Sequence, residues 1–335
     1  MTRPTRQPAR SGAVRAAIAL VLAGLLAPRL AASTQWPVET VANLRVLPDT
    51  ITPAALVALM GTFTRALGVG CSYCHVGVAG QPLSSYDFSA DDRPTKAVAR
   101  SMLRMVRAIN QEHLGGLATR NEPAVQVECA TCHRGTTVPR MLQDVLTHAY
   151  RAGGIDSAVA AYRQLRRRYH GRSTYDFGEV PLADVGGLLW TEAAHADAER
   201  LYALNVEFNP ESDFAKRSHA TAALTLAFRT GGAHGEARYE EIETAYGADA
   251  LPEGVLNVVG YRLLAEERFA AAVAAFRLNV SRFPTSSNVY DSLGEAYARQ
   301  GDRAMAVRSY GRALELDPEN ANAREQLRRL RAQNR

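Results

Sequence analysis

All four cysteines of the chain lie in two copies of one five-residue pattern, Cys71-Ser-Tyr-Cys74-His75 and Cys129-Ala-Thr-Cys132-His133. Thiols three positions apart share one side of a helical turn, and the next residue projects beside them. That spacing suits a porphyrin. Each thiol adds to one vinyl group as a thioether, and the imidazole reaches the iron as its proximal ligand. Paired cysteines serve other chemistry too. Two Cys-x-x-Cys pairs can bind structural zinc, a thioredoxin-like dithiol uses the same spacing between strand and helix, and exported proteins form disulfides. Zinc makes the repeated histidine a coincidence, no strand–helix pattern surrounds the pairs, and cysteines on one turn make a poor disulfide framework. The pattern is therefore read as two covalently bound haem c groups, held by Cys71, Cys74, Cys129 and Cys132, with His75 and His133 on the irons.

Each motif follows a segment of helical periodicity. Pro53 is a favoured first-turn residue. Leu56, Met60, Phe63 and Leu67 recur on one face, and Gly68 is a natural stop. A second helix is expected from Pro94, with Asp91 and Asp92 as capping candidates. It places Val98, Met102, Met105 and Ile109 on one face, before Gly115 and Gly116. Both copies thus put methionine on the helix before the haem motif. A thioether is a soft ligand that favours ferrous iron and raises its potential. Met60 is the candidate sixth ligand of the first haem, and Met102 or Met105 that of the second. The competing reading is that such methionines only fill a core. His113 reads as an exposed loop residue, and Arg134 as either solvated or a partner for a haem propionate. His148, His170, His195, His219 and His234 lack metal-ligand spacing.

The formal charge of +5 suggests an acidic partner, but its distribution does not. Residues 1–34 hold Arg3, Arg6, Arg10, Arg15 and Arg29 and no acid, which leaves 34 basic against 34 acidic residues in the rest. A nucleic-acid partner is therefore not expected. The same segment reads as a secretory signal: leading arginines, the apolar run Ala16 to Ala27, then the small residues Ala31, Ala32 and Ser33. The run is short for a bilayer span. No Cys stands near the cleavage point for a lipid, and no Arg-Arg pair marks a twin-arginine route. The expectation is a periplasmic protein, free or associated with the inner membrane.

From residue 141 onward the pattern changes. Gly260 aligns with Gly294, Ala270 with Ala304, Phe276 with Tyr310 and Pro284 with Pro318, each at a shift of 34 residues. That period, with small residues where helices touch and Pro at the unit's end, resembles the tetratricopeptide repeat. Gly186, Tyr202 and Pro210 mark a weaker unit over 179–211, and 141–170 reads as a degenerate first one. Such helix pairs bury their apolar faces by stacking on neighbours. Arg324 to Arg335 reads as a solvated final helix or tail. The expected fold is all-α: a signal peptide (1–33), a multihaem c-type cytochrome domain (34–140) and a tetratricopeptide-repeat helical solenoid (141–335).

Three stretches carry a further resemblance: Leu67-Gly-Val-Gly-Cys-Ser-Tyr-Cys-His75, Arg100-Ser-Met-Leu-Arg-Met-Val-Arg-Ala-Ile-Asn110 and Val127-Glu-Cys-Ala-Thr-Cys-His-Arg-Gly135. With them, residues 43–140 resemble the cytochrome c subunit of bacterial photosynthetic reaction centres. In that family each Met-ligated haem takes its sixth ligand from a helix just upstream of its own motif. The resemblance thus implies Met60 for the first haem and, aligned on Ile109-Asn110, Met102 for the second. The family's subunits carry four haems where this chain has two motifs. Their additional His ligand has no counterpart, since Gly116 falls near that place, and the repeat array is not part of them. The domain type is what the resemblance implies, not a photosynthetic role.

The expected function is electron transfer through two six-coordinate His/Met haems, without a catalytic residue. The expected partners are a redox donor and an acceptor, a membrane-bound complex among them, and a peptide or protein at the repeats. Two alternatives remain: a dihaem peroxidase-like enzyme with a displaceable ligand, and a repeat-based binding scaffold with haem as sensor.

Overall fold

Proline, glycine and the placement of apolar residues decide where helices begin and end in this chain. The structure, a computed structural model, describes residues 41–119 and 123–332; the leader read at 1–33 lies outside them. No β-strand forms among the described residues, and one isolated antiparallel bridge pairs Val76 with Asp87. The chain divides into two compact units. One holds the chain up to Thr64 with Gly70–Val127; the other holds Arg65–Val69 and the chain from Glu128 onward.

In the first unit, α1 (Pro53–Leu67) opens where the Thr52 hydroxyl accepts the Ala55 N–H at 3.3 Å, a capping bond. Its last residues belong to the second unit, and it stops at Gly68, whose φ of +67° is the left-handed conformation that glycine adopts without strain. α2 (Pro94–Ala108) has Pro at its first turn and continues through a π-helical turn, Ile109–Leu114, to Gly115. The N-cap is Arg93 and makes no side-chain bond. Asp91 and Asp92 therefore do not cap this helix. Asp91 is taken instead by Arg100 (2.8 Å), Asn43 (2.9 Å), Arg45 (3.0 Å) and Lys96 (3.2 Å). The lead-in residues pack back on α2 through Arg100 to the Asn43 carbonyl and Arg107 to the Val46 carbonyl.

α2 carries two apolar stripes. Ala99, Leu103 and Val106 follow Lys96 along the half-buried side. The expected face points the other way: Val98 is 57%, Met102 36% and Met105 46% exposed. Among the described residues of this unit no apolar side chain is buried, and the one buried residue is Lys96.

The second unit has an ample core. α3 (Cys129–His133) is one short turn. α4 (Leu142–Tyr169) is two helices joined across Gly153 and Gly154, whose backbones leave the helical region. It thus forms a helix pair, as the degenerate first unit requires. Consecutive pairs follow: α5 (Glu179–Thr191) with α6 (His195–Phe208), α7 (Asp213–Thr230) with α8 (Gly232–Tyr246), α9 (Glu253–Ala265) with α10 (Phe269–Arg282), and α11 (Ser287–Gln300) with α12 (Arg303–Leu316). α13 (Ala321–Ala332) closes the array, burying Ala323 and Leu327 beneath its arginines. The starts of α9, α11 and α13 at 253, 287 and 321 repeat the period of 34.

Glycine-to-aromatic contacts lock the four pairs that follow α4. A β-carbon at Gly186 would meet the Tyr202 ring, at Gly260 the Phe276 ring, and at Gly294 the Tyr310 ring. In α7–α8 the order reverses, with Gly235 against Phe228. The aligned Ala270 and Ala304 are both exposed rather than buried between helices. The small residues that helices bury are Ala272 and Ala306, each 0% exposed and two positions further on. Two equivalent buried asparagines, Asn205 and Asn279, donate to the carbonyls of Glu179 and Glu253, tying each second helix to the start of the first.

Candidate functional site

The first motif begins as a 3-10 turn, Cys71–Tyr73. The Cys74 and His75 N–H groups both donate to the Cys71 carbonyl, at 3.3 and 3.0 Å. That winds Cys71, Cys74 and His75 through one turn. The first turn of α2 anchors it, since the Thr95 hydroxyl donates to the Tyr73 carbonyl. Burial pushes the Cys74 thiol up, opposed by a hydrogen bond with Thr95. The His75 imidazole is held below its usual range by burial first and then by the Lys96 charge. Its Nδ1 is buried without a partner of hydrogen-bonding geometry, although the Phe88 backbone lies near enough to the ring to favour its protonated form.

The second motif lies in the second unit and is helical. Glu128 and Thr131 form a reciprocal capping box around Cys129–His133. Arg134 (φ 47°) and Gly135 (φ 90°) end the turn in left-handed conformations. The Gly135 N–H donates to the Ala66 carbonyl at 2.8 Å, which docks the end of α1 on this turn. The fit is close: a β-carbon at Gly68 would lie 2.3 Å from the Gly135 oxygen. His133 Nδ1 donates to the Thr136 carbonyl at 2.9 Å. That bond fixes the tautomer and leaves the Nε2 lone pair available to a metal ion. Burial also raises the Cys129 thiol. No disulfide joins any of the four cysteines, and Cys132 is exposed.

Among the methionines, Met60 lies half-buried on the expected face of α1, while Met102 and Met105 lie on the uncovered stripe of α2. Asn110, past the end of α2, grips Val127 through both backbone groups at 2.8 Å, two residues before Cys129. No three His, Cys, Asp or Glu side chains converge to hold a metal ion among the described residues. His113 is exposed. The Arg134 side chain stays local, on the Thr131 carbonyl.

Residues 29–154 match the family described as photosynthetic reaction centre cytochrome C subunit. The chain carries a cytochrome c domain of that kind. Residues 287–320 match the tetratricopeptide repeat, so the cytochrome domain is followed by repeats. The chain is 44% identical over 68 residues to cytochrome c-554 of Chloroflexus aurantiacus, which covers 20% of this chain and 14% of that protein. It is 32% identical over 111 residues to the photosynthetic reaction center cytochrome c subunit of Thermochromatium tepidum, covering 30% and 22%. The chain thus spans less than a quarter of the length of these relatives. A thermophilic tetratricopeptide-repeat protein of Thermus thermophilus overlays with a TM-score of 0.28 at 14% identity, covering 56% of this chain and 96% of that one. The repeat assignment rests on residues 287–320 and on the helix pairs, not on that overlay.

The residues of the cytochrome domain fit covalent haem. Each motif supplies two thiols and an imidazole on one turn, and α2 offers an uncovered apolar stripe with two thioethers. Sequence reasoning gave no structural role to Thr95, Lys96, Phe88, Thr136 or Asn110, which hold the motif turns or the segments next to them. Four are ordinary polar residues and one is a phenylalanine, and no spacing singles them out.

Proposed function

We propose that the protein is an exported dihaem c-type cytochrome that passes electrons between redox proteins, with the repeats docking a peptide or protein partner. The observation that carries this reading is the use of every cysteine in two Cys-x-x-Cys-His turns within a region that matches the cytochrome family. Bound haem supplies a one-electron iron couple. Cys71 with Cys74, and Cys129 with Cys132, anchor it covalently, so it is retained outside the cytosol. His75 and His133 would hold the irons, with Met60 and Met102 as the further ligands. Iron held by both a His and a Met would leave no place for substrate, which favours a carrier over an enzyme, and thioether ligation would favour the reduced state.

Pyridine haemochrome assay, intact mass and redox potentiometry on protein matured in a periplasm test this together. Two haems per chain, resistant to acid–acetone extraction and low-spin when oxidised, are expected. A colourless protein with the mass of the bare polypeptide overturns the haem assignment. High-spin ferric iron at both sites overturns the His/Met ligation.

A further inference from the structure

A cation is an unusual occupant for the one buried position among the described residues of the first unit, because an ammonium is costly to bury unless each proton finds an acceptor. Lys96 meets that demand. Its Nζ donates to the carbonyls of Phe88 (2.9 Å), Ser89 (3.1 Å) and Ala90 (2.7 Å), and pairs with Asp91 at 3.2 Å. Three protons thus serve three consecutive carbonyls, and the side chain is only 11% exposed. The same segment is folded by Asp87, whose carboxylate accepts the Ser89 and Ala90 N–H groups at 2.9 Å each. Its far end is held by Asn43, Arg45 and Arg100 on Asp91.

The clamped segment carries Phe88. Its ring lies 4.9 Å from the His75 ring, centroid to centroid, and Tyr86 stacks on it at 5.6 Å. The Tyr86 hydroxyl donates to the Val78 carbonyl at 2.8 Å, closing the loop behind the aromatic pair. The orientation of a ligating histidine is ordinarily set by the hydrogen bond of its other ring nitrogen. His133 has that bond in good geometry, whereas His75 Nδ1 has only the Phe88 backbone nearby. Ring packing on Phe88 adds to that weak hold.

We propose that Lys96 is a positioning residue for the first proximal histidine: by gripping the Phe88–Ala90 carbonyls it holds the Phe88 ring against His75 and fixes the plane of the imidazole. The proposal rests on the dihaem reading. Arginine cannot stand in, because its planar fork does not converge three N–H groups on one point. Methionine keeps the length and loses the donors.

The test compares matured wild-type protein with Lys96→Met, Lys96→Arg, Phe88→Leu and the Lys96→Met/Phe88→Leu double variant, by haemochrome count and low-temperature EPR of the ferric state. The expected result is two haems per chain throughout. Lys96→Met and Lys96→Arg shift one low-spin signal and leave the other in place. Phe88→Leu, which changes no charge, shifts the same signal, and the double variant shifts it no further than either single one. Two attached haems with neither signal moved by Lys96→Met overturns the proposal, as does a Phe88→Leu shift at the other signal. If Lys96→Met does not mature, Phe88→Leu decides alone, and an unmoved pair of signals refutes the clamp. Wild-type protein without covalent haem refutes the dihaem reading instead.

Discussion

Replacing Gly260 by alanine tests the packing that holds the repeats together. Phe276 is fully buried, and the added β-carbon would lie 2.3 Å from its Cζ, 2.5 Å from Cε1 and 2.6 Å from Cε2. Carbon atoms pack best at about 3.5–4.0 Å, so the ring must retreat by roughly 1 Å into a filled core. Overpacking of this kind costs about 1–3 kcal/mol, and alanine recovers up to about 1 kcal/mol of helix propensity. The net loss is about 0–2 kcal/mol, or up to roughly 8 °C in Tm for an array of this size. Gly311 in α12 is the matched control, because nothing lies within 4 Å of a β-carbon there and its φ is not positive. Gly311→Ala should stabilise by about 0.5–1 kcal/mol. Thermal unfolding followed by circular dichroism, with haem absorbance recorded in parallel, separates the two signs. Equal stabilisation by both substitutions would refute the glycine-to-ring packing of α9 on α10.

Met60→Leu should lower the potential of one haem and abolish its share of the Met–iron charge-transfer band, read by potentiometry and near-infrared absorbance. Met102→Leu should do the same at the other haem, and Met105→Leu should leave both bands; the reverse pattern moves the ligand to Met105. His219 is buried between Glu199 (3.0 Å from Nε2) and the Tyr246 hydroxyl (2.7 Å from Nδ1). The His219 hydrogen bond holds the Glu199 carboxyl below its ordinary range, against burial. A carboxyl lowered in the fold stabilises above its unfolded pKa, about 4.3, and that stability is lost as pH falls through the folded value. Glu199→Gln should therefore flatten the acid limb of a Tm-versus-pH curve. Cys74→Ala should leave the first haem on a single thioether, seen as a red-shifted component in the pyridine haemochrome spectrum.

The helix boundaries at Pro53, Gly68 and Pro94 were legible because proline and glycine act through their own backbones. The glycine–aromatic pairs 260/276 and 294/310 were legible because the repeat places them at equal spacing. Ala270 and Ala304 show the limit: a 34-residue shift aligns positions without telling which face they occupy, and the buried alanines stand two residues on. On α2, both apolar stripes were visible as periodicity, but periodicity cannot say which stripe the polypeptide covers itself. Asp91 had the composition of a cap. It lies among Arg45, Lys96 and Arg100, drawn from separate stretches of chain, and their charges outcompete the helix N-terminus. The support for His75 was illegible for the same reason: Lys96 acts through carbonyls, which every residue possesses.

The uncovered stripe of α2 bears on the order in which such a chain is made. The repeats carry their own hydrophobic interior and can consolidate as soon as they are synthesised. Among its described residues the first unit brings almost none. On the dihaem reading, a porphyrin joined at Cys71 and Cys74 would supply the greasy centre that these side chains leave out.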